Sequence, residues 1–177
     1  MVICPFCKEE NIDGADECEQ CQQPLGFLSK PRTSSTIEHS LIKDRVYMLA
    51  PRKPLGVEAS TPVGDVLRLM VSRAIGCIVV NDNGQMVGIF TERDALLRLN
   101  VDAALHATRP VRDFMTASPD TIEADAPIAF ALHKMDVGGY RHIPVMSGPV
   151  ASGGKVSGIV SVRDILRYIT EDLMSLG

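Results

Sequence analysis

Gly88-Ile89-Phe90-Thr91-Glu92-Arg93-Asp94 returns later in the chain as Gly158-Ile159-Val160-Ser161-Val162-Arg163-Asp164. In each copy an apolar run ends, a hydroxyl residue follows, and a carboxylate lies three positions on. That order suits a strand handing over to a helix. The hydroxyl caps the first turn, and the acid sits where the helix dipole favours negative charge. Glycine at the head of each run permits close approach of a ligand to the backbone. For one copy a plain cap explains the residues. Two copies, each with Arg93 or Arg163 just before its aspartate, favour an anion- or ribose-binding reading, because helix N-termini attract anions.

Working outward, the chain repeats itself. At an offset of 65, Val46 falls on Val111, Leu49 on Phe114, Pro54 on Pro119, Val57 on Ile122, Pro62 on Pro127 and Met70 on Met135. Beyond Gly84 the offset becomes 70, so the second copy carries an insertion, placed in Ser147-Gly148-Pro149-Val150-Ala151-Ser152-Gly153. Insertions sit in surface loops, which locates a hairpin there. Its counterpart in the first copy is the Asp82-Asn83-Gly84 turn between two β-branched runs. Each copy reads strand, helix, strand, strand, helix. Ser60 and Asp125 are expected helix caps, and Val63, Val66, Leu67 and Met70 form an apolar stripe at helical spacing. One copy is small for an independent core, and two copies sharing one is the expected solution.

These repeated motifs resemble those of the CBS (cystathionine β-synthase) family, whose tandem pairs are called Bateman modules. The resemblance runs from Val46 to Glu171 and includes Met115-Thr116 and His142-Ile143-Pro144-Val145. It implies an α/β fold of two pseudo-symmetric β-α-β-β-α units with clefts between them, binding AMP, ADP, ATP or a related adenosyl ligand. Carried over by residue, it assigns ribose to Asp94 and Asp164, with the hydroxyls of Thr91 and Ser161 near ribose or phosphate. Thr121, Arg141, His142 and Arg163 complete the expected ligand set. A satisfied core or surface histidine remains an equal reading of His142. The first copy departs from the pattern, with Ala50-Pro51 for Met-Thr, Gly56 for Thr121 and Cys77 for His142. The two clefts are therefore expected to be unequal, with Asp164 the more important carboxylate. The resemblance also implies a homodimer of modules, with apolar surface offered at Leu96-Leu97 and Ile165-Leu166.

The first residues carry a separate signal. Cys4-Pro5-Phe6-Cys7 and Cys18-Glu19-Gln20-Cys21 offer four thiolates in a segment too short to fold by burial alone, which argues for a structural metal rather than a redox pair or disulfides. The segment resembles a short zinc ribbon, and iron in a rubredoxin-like knuckle is the alternative. Four cysteines close such a site, leaving no open position for catalysis. Cys77, alone in an apolar run, reads as a small core residue.

The sequence therefore divides into a knuckle at 1–27, a linker at 28–42, and two motifs at 43–105 and 106–177. No apolar run reaches the roughly 20 residues of a membrane span, and no secretion signal opens the chain, so a cytoplasmic protein is expected. The first 30 residues hold six acidic residues against two lysines, which counts against a nucleic-acid partner. The rival to a sensor is nevertheless a nucleic-acid-binding regulator, since zinc ribbons serve such roles. No nucleophile–base pair or phosphate-binding loop is present, so no enzyme is expected. An unidentified protein would receive the regulatory signal.

Overall fold

The structure is a computed structural model that describes residues 1–12, 14–26, 36–148 and 155–173. It divides into two compact units, Lys53–Pro119 and Met1–Arg52 with Asp120–Gly177.

The unit Lys53–Pro119 is built on four strands: β3 (Gly56–Glu58), β4 (Cys77–Asp82), β5 (Gln85–Thr91) and β6 (Thr116–Ala117), in that spatial order. β3 runs parallel to β4, and the other two pairings are antiparallel. The β4–β5 hairpin closes with Asp82 opposite Gln85, and both turn residues, Asn83 and Gly84, have positive φ. This is the geometry that an Asn-Gly pair favours. Helix α2 (Val63–Arg73) lays its stripe of Val63, Val66 and Met70 on Ile78, Val80 and Phe90. Full burial of each such side chain is worth about 1.5–3 kcal/mol. After β5 come a short turn, α3 (Glu92–Asp94), a wider π turn (Ala95–Leu99), and α4 (Ala103–His106).

The other unit repeats this plan with β7 (Ile122–Glu123), α5 (Ile128–Gly138), β8 (His142–Ser147), β9 (Lys155–Ser161) and α6 (Val162–Arg167), which widens into a π turn over Tyr168–Leu173. β7 is parallel to β8 and β8 antiparallel to β9. The core gathers Ile128, Phe130, Ala131 and Met135 from α5 against Ile143, Val145, Val160 and Ile165. The unit also holds β1 (Val2–Ile3), β2 (Glu10–Asn11) and α1 (Thr36–Lys43). Part of the span read as linker is thus helical. The inserted hairpin loop lies largely outside the described residues, in 149–154.

The units cut across the repeats because each lead segment packs with the other repeat. Val46 and Leu49 join the core of the second repeat, and Val111 and Phe114 that of the first. The backbone follows suit. Thr116 and Ala117 pair with Ile89 and Gly88, whereas on the other side, among the described residues, a single bridge joins Arg52 to Ile159.

Two expectations need correction. Ser60 and Asp125 do not cap their helices. Pro62 and Pro127 occupy the cap positions and make no side-chain cap bond. Backbone carbonyls serve instead: Val63 and Gly64 N–H donate to Arg109 and Ala107, and Ile128 N–H donates to Asp44. A helix start docked on another segment needs no side-chain cap, since its free N–H groups are already satisfied. The repeated glycines admit protein rather than a ligand. A Cβ on Gly88 would lie 2.5 Å from Met115 Sδ and 2.7 Å from the Thr116 carbonyl oxygen, and one on Gly158 would lie 2.5 Å from Pro51 Cβ.

Gly88→Ala should therefore lower stability by about 1–3 kcal/mol, the usual cost of overpacking. The backbone contact at Thr116 cannot swing aside as a side chain does. Chemical denaturation reads the loss, and an unchanged midpoint would mean that β6 does not lie against β5.

Candidate functional site

The two hydroxyl–carboxylate motifs form matching buried boxes. Thr91 ends β5 and caps α3; its N–H and hydroxyl both donate to Asp94 Oδ2, at 2.9 and 2.6 Å. Ser161 ends β9, and its N–H and hydroxyl donate to Asp164 Oδ2 at 2.8 and 2.6 Å. Both aspartates are buried, Asp94 at 7% exposure and Asp164 at 3%. A buried carboxylate persists only when hydrogen-bonded and paired with positive charge, and here one oxygen of each is fixed by its own cap.

The second oxygen is held differently in the two units. Asp94 Oδ1 accepts the Thr116 hydroxyl at 2.8 Å and faces Arg98 Nε at 3.4 Å. Arg98 also donates to the carbonyls of Phe114 and Met115. Asp164 Oδ1 lies 3.0 Å from Arg167 Nη2 and 3.8 Å from Arg52 Nε. These arginines are all 42–60% exposed, so a buried anion is covered by removable cations.

Thr91 is thus joined to Asp94 and Ser161 to Asp164, but the cap hydroxyls donate inward to their own carboxylates. His142 begins β8 directly across from Ser161, and Cys77 takes the matching place across from Thr91. Burial pushes the Cys77 thiol up to about 12, with Asp94 adding to the effect, so it stays neutral. Arg141 is exposed, and its carbonyl accepts the Val162 N–H at 3.0 Å. Thr121 is buried just before β7. Arg163 is exposed and is not among the described residues that pair with the Asp164 carboxylate.

Arg52, Arg98, Thr116 and Arg167 did not emerge from the sequence as site residues. Arg98 and Arg167 sit four and three residues after their aspartates, the helical spacing for an ion pair, so that signal was present. Arg52 and Thr116 reach their aspartates only through the exchanged lead segments. Met115-Thr116 consequently serves Asp94 and not, as the repeat order suggested, the second motif.

The four N-terminal cysteines form the second site. Their Sγ atoms all lie within 4.8 Å of one another, with Cys4–Cys21 and Cys7–Cys18 each at 3.5 Å. Thiolates about 2.3 Å from a zinc ion sit about 3.8 Å apart in a tetrahedron, so the cluster fits a tetrahedral metal. Two matching loops present the cysteines. Lys8 N–H donates to Cys4 O and Gln22 N–H to Cys18 O, and Lys8 and Gln22 both have positive φ. Buried Asn11 ties the loops together: its amide donates to Glu9 O and Cys18 Sγ, and its oxygen accepts the Glu19 N–H. Burial raises the Cys18 thiol, but the backbone at Cys21 and Gln20, then Cys7 and Asn11, bring it down to about 6. Burial pushes Cys21 well up. Donors aimed at a sulfur favour the thiolate that binds metal.

The chain matches the CBS domain family over residues 46–100 and 111–171. It is 30% identical over 131 residues to an uncharacterized 17.7 kDa protein of Acidianus ambivalens, covering 72% of this chain and 74% of that one. It is 32% identical over 114 residues to a CBS domain-containing protein of Arabidopsis thaliana, covering 64% of this chain and 20% of the plant protein. The chain thus spans about a fifth of that relative. Among solved structures it resembles a CBS domain protein of Pyrobaculum aerophilum complexed with AMP, with TM-score 0.61 and 25% identity over 75% of this chain and 99% of that one.

Proposed function

The chain belongs to the CBS domain family, and from that premise we propose that it is a regulatory sensor of adenine nucleotides, AMP, ADP or ATP, carrying a zinc-loaded knuckle. One observation carries this reading: two buried carboxylates, each with one oxygen fixed by its cap and the other covered by exposed arginine. A ribose diol offers two hydroxyl donors to such an oxygen. When it displaces a guanidinium, the freed cation remains close enough to meet the phosphate of the same ligand, and arginine suits phosphate through its planar fork of donors. The likeness to the AMP-bound Pyrobaculum protein supports the ligand class.

Thr91 with Asp94, and Ser161 with Asp164, form the two ribose ends in this reading. Thr121, Arg141, His142 and Arg163 are the further ligand candidates around the second. Asp164 has two guanidinium groups against the one at Asp94, so an anionic nucleotide should depend more on Asp164. The output is regulatory and passes to a partner protein yet to be identified.

Calorimetric titration with AMP and ATP tests the sensor. Asp164→Asn keeps the shape but loses charge-assisted bonds worth about 1.5–3 kcal/mol, so affinity should fall about tenfold or more, with a smaller fall for Asp94→Asn. No binding of AMP, ADP or ATP by the unmutated chain would remove the sensor function. An alanine at 164 is a poorer probe. Asp164 is buried and its Oδ2 accepts both Ser161 donors, so alanine also costs about 0.5–2 kcal/mol of capping.

Elemental analysis of protein purified without added metal should find one zinc per chain. Iron in its place would keep the thiolate site and change the element, whereas no metal would end the reading.

The homodimer would use the exposed leucines Leu96, Leu97 and Leu166; Ile165, once counted with them, is core. Light scattering at micromolar concentration should give two chains, and Leu97→Glu should shift the protein toward one. A monomeric unmutated chain refutes the arrangement.

A further inference from the structure

The knuckle does more than hold its own cysteines in place. Phe6, between the ligands Cys4 and Cys7, lies against Lys134 of α5, with the ammonium 4.6 Å from its ring centroid. Phe130 faces the same ammonium at 5.5 Å, and Asp120 lies 3.1 Å away. Lys134 is only 5% exposed. A lysine that deep needs every partner it has, and an aromatic face attracts a desolvated cation more strongly than one in water. Lys8, the residue after Cys7, reaches Glu123 on β7 at 2.9 Å and Asp125 at 3.4 Å.

Most of the face that receives these side chains is peculiar to the second motif. At the offset of 65, Lys134 corresponds to Leu69, Asp120 to Leu55, Asp125 to Ser60 and Phe130 to Asp65. The first copy therefore lacks the buried cation, its carboxylate and the second ring. Glu123 alone of the charged set has a counterpart, Glu58; Asp120, Asp125 and Lys134 occur only in the copy that shares a unit with the knuckle.

We propose that the cysteine loop is an intramolecular clamp through which metal loading sets the stability of the β7–α5 corner of the second motif. The inference rests on the reading of the four cysteines as a metal centre. Both clamp residues lie inside or beside the first Cys-x-x-Cys loop, whose own small cluster is built around the cysteines, with Leu25, Val2 and Ala15 packed on them, so its shape depends on how the four sulfurs are held. Losing the metal frees Phe6 and Lys8 together. Lys134 is then left beneath water, and Glu123 loses its partner. Thr121, a ligand candidate, lies at the head of the same strand, so the metal state bears on nucleotide binding there. Linkage makes the coupling reciprocal: whatever steadies the corner also tightens the metal.

The test uses the full chain, zinc-loaded or stripped by chelator under reducing conditions, with hydrogen exchange read by mass spectrometry. Stripping should speed exchange across 120–138 by about tenfold, within the usual range of such couplings, and leave 77–91 unchanged. Phe6→Ala/Lys8→Ala keeps all four cysteines. It should still take up one zinc, lose the zinc-dependent difference at 120–138, and bind zinc more weakly in competition with a chelator. Lys8→Glu should weaken the response, and Lys8→Glu/Glu123→Lys should restore it, which separates the clamp from general damage to the loop. Equal exchange at 120–138 with and without zinc in the unmutated chain overturns the proposal while leaving the metal centre standing. So does an undiminished response in the double alanine variant. A chain that takes up no zinc or iron fails earlier, at the metal reading itself.

Discussion

The N–H of Val46 donates to the carbonyl of Ala126, and the N–H of Val111 to that of Thr61. Beside them Tyr47 donates to Ala124 and Arg112 to Ala59. The two pairs are the same bonds shifted by one repeat, and they fix a lead segment onto the helix start of the opposite copy. Much else follows from them. They bring Val46 and Leu49, or Val111 and Phe114, into a core that would otherwise be short of apolar volume. They supply the carbonyls that satisfy the first N–H groups of α2 and α5, where proline leaves no side-chain cap. They also set Arg52 and Thr116 beside aspartates far away in sequence. Neither repeat is complete along its own stretch of chain.

The aspartates show how one motif yields unequal electrostatics. The capping bonds at Asp94 and Asp164 agree within 0.1 Å. What differs is the cover over the second oxygen. At Asp94 a neutral hydroxyl shares the oxygen with one guanidinium, and that guanidinium is also held by two backbone carbonyls. At Asp164 two guanidinium groups converge. The difference traces to the exchanged segments, which offer Met115-Thr116 on one side and Pro51-Arg52 on the other.

The fold was largely legible because its signals are local and doubled. The Asn-Gly turn, the stripe of α2, and the run into a hydroxyl and an acid each depend on a few consecutive residues, and the second copy confirmed the first. The four cysteines were legible for the same reason, since their spacing alone gathers them. What the sequence did not disclose is non-local. Gly88 and Gly158 invited a ligand on paper, because nothing nearby in sequence announces that Met115 or Pro51 will fill the space. Ser60 and Asp125 looked like caps because the carbonyls that replace them come from Ala107, Arg109 and Asp44. Arg98 and Arg167 were readable from helical spacing, whereas Arg52 required knowing which repeat its segment would join.

The exchange of lead segments also imposes an order on synthesis. The unit Lys53–Pro119 is continuous in the chain and has all its parts once residue 119 has emerged. Residues 1–52 belong with Asp120–Gly177, so they leave the ribosome before that part of their unit exists. At about 5–20 residues per second, that wait lasts several seconds or more. During it the cysteine loops have only one another and Asn11 to lean on, while Val46 and Leu49 remain uncovered. Residues 1–52 are thus housed only after the continuous unit Lys53–Pro119 has all its parts.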